Sequence, residues 1–290
     1  MFKLRSILLL VIFILIIHLV HSDEIRSVWV TRFNYSSPED VQAIMQNLEE
    51  HNFNYVLFQV RGNGATYYDS EIEPWAYQLT GSDPSTLGTD PGWDPLELAV
   101  TEAHSRGMKI LAYMNTYPAW AGTNPPPEEV SQLWNDHRDW ICVNSSGEQM
   151  TLNDHYVNLS PTIPAVQNYL TNVYMEVMNN YDVDGVHFDY VRYPGWTYSW
   201  DEVSLTLFEN QYGGTPESLP DEWSQFRRDG VTALVQSVYN NHFNAGPSMN
   251  ITAATWPTYS SGYSYYYQDS WGWLEQGILD VSHPMTSSAD

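Results

Sequence analysis

The chain has 290 residues, enough to bury a sizeable core, with 35 acidic against 11 basic residues and a formal net charge of −24. An acid excess of that size argues against nucleic acid or an anionic membrane surface as a partner, since both would repel it. The single cysteine, Cys142, excludes an intrachain disulfide.

At the N-terminus, Lys3 and Arg5 precede an unbroken apolar run from Ile7 to Ile17, and Val20-His21-Ser22 follows as a plausible cleavage site. Charged, apolar and small residues in that order form a secretory signal peptide, so residues 1–22 are read as a signal and 23–290 as the working domain. Secretion or a periplasmic location is the expectation, with no membrane attachment once the signal is removed.

After it, short β-like runs alternate with helical patterns, the signature of parallel βαβ units. The first strand is expected over Arg26 to Arg32. Ser36-Ser37-Pro38-Glu39 then starts a helix whose Val41, Ile44, Met45 and Leu48 share a face. The second strand runs from Tyr55 to Arg61 and leads into a long loop rich in Tyr, Trp, Gly and Pro. A helix from Pro95 to Arg106 ends at Gly107, and Met108 to Asn115 is the third strand. A second excursion, Thr116 to Pro161, has room for a small hairpin. The helix Pro164 to Asn180 precedes the fourth strand, Gly185 to Val191. Helices near Trp200 to Tyr212 and Glu222 to Phe243, a fifth strand over Asn250 to Thr255, a short helix near Trp271 to Gln276 and a sixth strand over Ile278 to His283 complete the series.

Six β/α units in one direction, with long loops after the strands, point to an α/β fold: a (β/α)8 TIM barrel. No Gly-rich phosphate loop follows the first strand, which counts against nucleotide binding. A full barrel calls for two more strands within about 250 residues. The chain ends at Ser287-Ser288-Ala289-Asp290, just after the sixth, so the expectation is a barrel truncated after about six strands.

Catalytic residues of such barrels stand at the C-terminal ends of strands. Alternation in the fourth strand puts Gly185, His187 and Asp189 on one face and Val186, Phe188 and Tyr190 on the other. The polar set should face the interior, with Asp189 nearest the mouth, placed to act as nucleophile, base or acid on a glycosidic bond. An Asp that caps the next loop or pairs with Arg192 is the equal alternative from periodicity. By the same alternation Gln59 and Arg61 share a face, as do Tyr113 and Asn115, while Arg32 ends the first strand. Such groups can hold a sugar hydroxyl or acid, or simply close the barrel with ion pairs. His187 and His104 read as structural. The scattered histidines show no zinc spacing, so no metal or other cofactor is called for. With 12 Trp and 21 Tyr, many in turn-like stretches, the loops are rich in rings on which sugar faces stack, Trp196 among them.

These residues also resemble a known family, the bacterial glycosyl-hydrolase-like family 10, or DUF187 group. The matching stretches include SVWVTR (27–32), FNYVLFQVRGNG (53–64), YYDSEIEPW (67–75), EAHSRGMKILAYMN (102–115), YDVDGVHFDYVRYPG (181–195) and LDVSHPM (279–285). They run in order over nearly the whole domain. The resemblance implies a TIM barrel with a hydrolytic role on polysaccharide, one branch acting on peptidoglycan glycan strands stripped of peptide. By position it points to Asp189, Arg192 and Tyr193, to Gln59, Arg61 and Asn115, and to Glu73 and Trp75 in the long loop. The chain departs from the family pattern at Ala65, where an Asp is usual, and at Leu111-Ala112-Tyr113, where His-Ala-Trp is usual.

The resulting expectation is a secreted hydrolase of O-glycosidic bonds, with Asp189 as one carboxylate and Glu73 as the best candidate for the other. The remaining residues, with Trp196, would bind a polysaccharide substrate. The alternative is a catalytically silent carbohydrate-binding barrel at the cell surface.

Overall fold

Strands whose two faces are both covered carry apolar residues on the outer face, and the central strands here follow that rule. The computed structural model describes residues 24–245 and 249–286; the expected signal peptide lies outside the described residues. Its main sheet contains β1 (Ser27–Val30), β2 (Tyr55–Arg61), β3 (Lys109–Asn115), β6 (Gly185–Asp189), β7 (Asn250–Thr255) and β8 (Val281–Pro284). All neighbours are parallel, in the order β1-β2-β3-β6-β7-β8. The order of the strands equals their order along the chain, as in a singly wound barrel.

Side chains on the inner face show how far the sheet curls. Laid flat, β1 and β8 would stand about 24 Å apart at the usual strand spacing. Instead Trp29 of β1 lies with its ring centroid 5.6 Å from that of His283 on β8. Trp29 also donates its indole N–H to His187 of β6, three strands away, at 3.2 Å, and the Asn250 amide of β7 reaches Tyr55 of β2. The sheet is a curled half-barrel, and six of the eight strands of a (β/α)8 barrel are present among the described residues.

Helices α1 (Pro38–Glu50), α2 (Pro95–Ser105), α4 (Pro164–Asn180) and α6 (Pro220–Ala245) cover the outer face. Their starts follow from local chemistry. Ser37 and Asp40 form a capping box at α1, each side chain accepting from the other's backbone N–H, and Asp94 accepts from the Leu96 and Glu97 N–H groups at α2. The outer-face residues Val56, Phe58, Ile110, Ala112, Val186 and Phe188 form the core with these helices. Phe188, fully buried, packs at 4.3 Å against Tyr174 of α4, a burial worth about 1.5–3 kcal/mol.

Two loops carry structure of their own. The excursion after β3 forms an antiparallel pair, β4 (Pro118–Gly122) with β5 (Asn153–Asn158), and the short helix α3 (Leu133–Asp136). After β6 come α5 (Glu202–Tyr212) and later α7 (Tyr259–Tyr265) and α8 (Ser270–Glu275). Helix α7, with the sequence YSSGYSY, has no apolar period and was not expected.

Gly185 opens the critical strand because nothing larger fits: a Cβ there would stand 2.1 Å from the Asn250 carbonyl oxygen, which is backbone and cannot swing away. Gly185→Ala therefore forces β6 and β7 apart. It should lower unfolding stability by about 3 kcal/mol or more in urea titrations, and a loss below about 1 kcal/mol would contradict this packing.

Candidate active site

Parallel register aligns inner-face side chains in rows across the sheet. Leu57, Leu111 and Gly185 share the lower row, and Gln59, Tyr113 and His187 the middle one. The upper row contains Asn115 beside Asp189. Asp189 thus stands at the C-terminal end of β6, at the barrel mouth, 7% exposed. Donors converge on its two oxygens. The Tyr113 hydroxyl donates to Oδ2 at 2.7 Å, the Tyr190 N–H to Oδ1 at 2.7 Å, and Arg192 approaches Oδ1 at 3.5 Å. Burial and the adjacent Asp189 push the Tyr113 phenol far above its ordinary range, so it remains a donor at any working pH.

The chain turns sharply here because Tyr190 adopts a left-handed conformation, φ 50°. A bulky residue in that region carries backbone strain, a feature that gathers at functional sites. The turn brings Arg192 back over Asp189, where its guanidinium stacks on Tyr190 at 4.6 Å and on Trp256 at 5.5 Å.

Above this row opens a cleft of about 520 Å³. Arg32 and Phe33 after β1, Asp154 and Tyr156 on β5, Tyr190, Arg192 and Tyr193 after β6, and Trp256 with Tyr266 after β7 line it. Arg32 is 5% exposed and donates to the Tyr156 hydroxyl at 2.7 Å; its Nε has no partner. Gly62 gives it room, since a Cβ there would meet the Arg32 Nε at 2.9 Å. Among the described residues no carboxylate comes within ion-pair distance of Arg32. Two guanidinium groups therefore face one cleft, one without an acid and the other with a long contact to Asp189.

The expected site residues divide into three groups. Arg192 and Tyr193 line the cleft and Asp189 stands behind them in contact with Arg192, although the Tyr193 hydroxyl is engaged by Ser199 and Thr162 at 2.6 and 3.2 Å. Gln59 and Asn115 lie just beneath, bonded to one another at 3.1 Å, and Gln59 also accepts the Arg32 N–H at 3.0 Å. Arg61, Glu73, Trp75 and Trp196 lie elsewhere.

Alternation had put Arg61 beside Gln59, but the ladder slips between them, and Arg61 pairs with Met114 of the outer face. There it forms a fully buried bidentate pair with Glu73, at 2.7 and 2.6 Å, and Tyr169 of α4 donates to Glu73 at 3.1 Å. Held bidentate by a fully buried guanidinium on the outer-face side of the slipped ladder, Glu73 is a structural counter-ion that ties the long loop to the sheet. Trp75 packs on the main core beside it. Trp196 is 56% exposed and faces a neighbouring groove. Tyr190, which alternation had put on the outer face of the fourth strand, lines the cleft instead, because the strand ends at Asp189 and the chain turns left-handed there. Phe33, Asp154, Tyr156, Trp256 and Tyr266 carried no signal in the sequence beyond being polar or aromatic residues in loops.

Below the mouth, His187 is fully buried. Its Nε2 accepts the Trp29 indole N–H, so Nδ1 donates to the Thr252 hydroxyl at 2.8 Å. Burial, then the nearby His283, hold its pKa well below the ordinary histidine value. Asp184, at the other end of β6, accepts from Ile110 N–H and pairs with His104, both structural contacts.

Comparison with known proteins adds the following. The glycosyl hydrolase-like 10 family matches residues 24–284. The chain is 29% identical over 308 aligned positions to the glycosyl hydrolase DigH of Escherichia coli K12, covering 91% of this chain and 65% of that protein. It is 26% identical to the glycosyl hydrolase YngK of Bacillus subtilis 168, covering 90% of this chain and 53% of the relative. It thus spans less than two thirds of the length of these curated relatives. The fold is shared with a β-galactosidase of the psychrophilic Marinomonas ef1 (TM-score 0.61, 13% identity, 91% of this chain and 41% of that one). A β-amylase catalytic domain of Paenibacillus polymyxa is also similar (TM-score 0.57, 10% identity, 89% and 76%).

Two predictions come from the buried charges. Glu73→Gln leaves Arg61 uncompensated in the core and should cost about 3–5 kcal/mol in denaturant unfolding, whereas the pair replacement Arg61→Met with Glu73→Leu should cost much less. The depressed pKa of His187 means the unfolded chain takes up a proton that the native state refuses. Its contribution is complete above about pH 6.5 and is lost as pH falls below that value, by up to about 1.4 kcal/mol per pH unit. Unfolding measured from pH 7 to pH 5 should show that slope, and His187→Gln should flatten it.

Proposed function

The chain belongs to the glycosyl hydrolase-like 10 family, and we propose that it hydrolyses O-glycosidic bonds of a polysaccharide outside the cytoplasm. The observation that carries this reading is Asp189: a carboxylate at a strand end, oriented by Tyr113 and Tyr190, and in contact with Tyr190 and Arg192, which line an aromatic cleft. Its fixed orientation suits the nucleophile or base side of the reaction, where a lone pair must point at the sugar carbon or at a water. Asp154, exposed on β5 and lining the same cleft, is the partner we assign for proton transfer at the leaving oxygen. Glu73 is left out of that role by its pairing with Arg61. Phe33, Tyr156, Trp256 and Tyr266 supply ring faces for stacking against sugar C–H groups.

The charge of the cleft narrows the substrate. Arg32 and Arg192 retain donor capacity in a chain whose formal net charge is −24, which favours a sugar bearing a carboxylate. Peptidoglycan glycan strands stripped of peptide fit, since each second sugar then carries a free lactyl carboxylate. Entry of such a polymer is also consistent with a secreted or periplasmic enzyme.

The test is release of reducing ends from peptide-free peptidoglycan strands, and from plant and algal polysaccharides, by the purified protein. Asp189→Asn should lower kcat by about a thousandfold or more with unchanged thermal unfolding, and Asp154→Asn by about a hundredfold or more. Arg192→Lys, which keeps charge but loses the planar fork, should raise KM about tenfold on carboxylated glycans. Binding without release from every polymer would instead make the chain a silent carbohydrate-binding barrel.

A further inference from the structure

Beside the cleft lies a second concavity, a groove of about 590 Å³ between the loop that follows β6, the start of α6 and the turn at Ser264 to Tyr267. We propose that this groove is a second glycan subsite, which holds sugar units of the same polysaccharide chain beyond those in the cleft by stacking them on Trp196 and Tyr265. The class of ligand rests on the glycan reading of the cleft; the existence of the site rests on its own geometry.

Two large aromatic side chains stand open in it: Trp196 is 56% exposed and Tyr265 43%. Among the described residues no aromatic ring or guanidinium stacks on Trp196, which leaves more than half of it open to a ligand. The platform is nevertheless rigid. Arg227, 5% exposed, donates to the Trp196 and Tyr198 carbonyls at 2.6 and 3.2 Å and stacks on Tyr267 at 4.0 Å. Arg227 has no carboxylate partner among the described residues; its role is to fix the loop. A preset ring costs little entropy when a ligand stacks on it.

An unmet donor marks the wall of the same groove. Trp223 is 3% exposed, and its indole N–H is buried with no partner. Such groups are rare. The Ser224, Ser264 and Thr197 side chains add hydroxyls around the rings.

Continuity with the cleft identifies the occupant. Tyr265 lines the groove and Tyr266 lines the cleft, with ring centroids 4.6 Å apart. Tyr193 of the cleft packs at 5.5 Å against Tyr267 of the groove. Pro194 and Trp196 face the two sides of the same wall, and Gly195 between them leaves the Tyr265 ring in contact at 3.5 Å from where a Cβ would stand. At these contacts the wall is a single pair of rings, thin enough for one glycan chain to lie over it and reach both sides. A short sugar would fill the cleft alone; a polymer would occupy both.

The experiment compares wild type with Trp196→Ala/Tyr265→Ala, both exposed positions, in binding to peptide-free peptidoglycan strands, xylan and laminarin, each beside its own disaccharide. Wild type should bind at least one long chain more tightly than its disaccharide. The double variant should weaken that long-chain binding about tenfold or more and leave the disaccharide unchanged. In hydrolysis the same variant should raise KM for the polymer with kcat unaltered. The proposal is overturned if the double variant binds the long chain within about twofold of wild type, or if wild type prefers no long chain over its disaccharide. It is also overturned if the substitutions change the particle mass in light scattering without changing glycan binding, which would make the patch a protein contact. Tight, Trp196-dependent binding of a polymer that is never cut would uphold the groove and defeat the hydrolase reading.

Discussion

Trp29 reaches across three strands to His187 and across the whole sheet to His283, and no flat or gently twisted sheet would allow either contact. Curling a parallel sheet this far leaves an inner face that side chains must fill, since backbone alone would enclose a void. Leu57 and Leu111 fill the lower level, and Tyr113 with His187 fill the next. His187 is held there as a neutral group, its two nitrogens divided between a donor and a hydroxyl. A cavity lined by Tyr55, Lys109, Asn250 and Val281 opens the inner face at the strands' N-terminal ends, and above the packed levels that face opens again at the C-terminal ends. Asp189 belongs to the last row before that opening, so its accessibility follows from what lies under it. The phenol that orients it, Tyr113, comes from the packed level and cannot turn away without opening a gap.

The arginines show how the same charge is put to different uses a few ångströms apart. Arg61 is sealed, paired in bidentate fashion to Glu73, and further satisfied by the Asn115 and Thr116 carbonyls. A buried pair of this kind gains little net stability over an apolar pair but is costly to break in half. It pins the long loop in one place. Arg32 and Arg192 are arranged in the opposite manner: stacked on rings, poorly supplied with acids, and turned toward the cleft. In a chain so rich in acids, a shortage of carboxylates cannot explain why Arg32 has none and Arg192 only a 3.5 Å contact to Asp189. Their spare donors are a property of the site.

Much of this was legible in the sequence. Period-two alternation in DGVHFD placed Asp189 inside and Phe188 outside, and the Ser36-Ser37-Pro38-Glu39 run marked the start of the first helix. Alternation failed at Gln59 and Arg61, because it assumes an unbroken ladder. The slip between them arises from pairing with β3, and nothing within YVLFQVR announces it. Glu73 misled for a related reason: a carboxylate in an aromatic loop looks the same whether it faces a cleft or a buried arginine. The cleft's far wall was invisible too. Tyr156, Trp256 and Tyr266 come from the β4–β5 pair and from the segment ending at α7, neither of which has an apolar period, and only the tertiary fold brings them opposite Arg192.

Long aromatic loops would ordinarily be mobile and poor at recognition, because each ring would lose rotamer and backbone freedom on binding. Here a polar network removes that freedom in advance. Thr162 joins the Tyr193, Ser199 and Ser204 hydroxyls, and Asp201 accepts from Ser204 and Ser160, all of them buried. Fully satisfied, such a network rigidifies its surroundings more than the sum of its bonds suggests. It fixes the segment from Tyr193 to Ser204, which follows directly on the cleft-facing Arg192 turn and carries the groove-facing Trp196. A ring stacking on either side therefore meets an ordered surface, and contact energy is not consumed in ordering the loop. The hydroxyl-rich stretch between the fourth sheet strand and α5, chemically inert in itself, is what allows two aromatic surfaces to act as one continuous track.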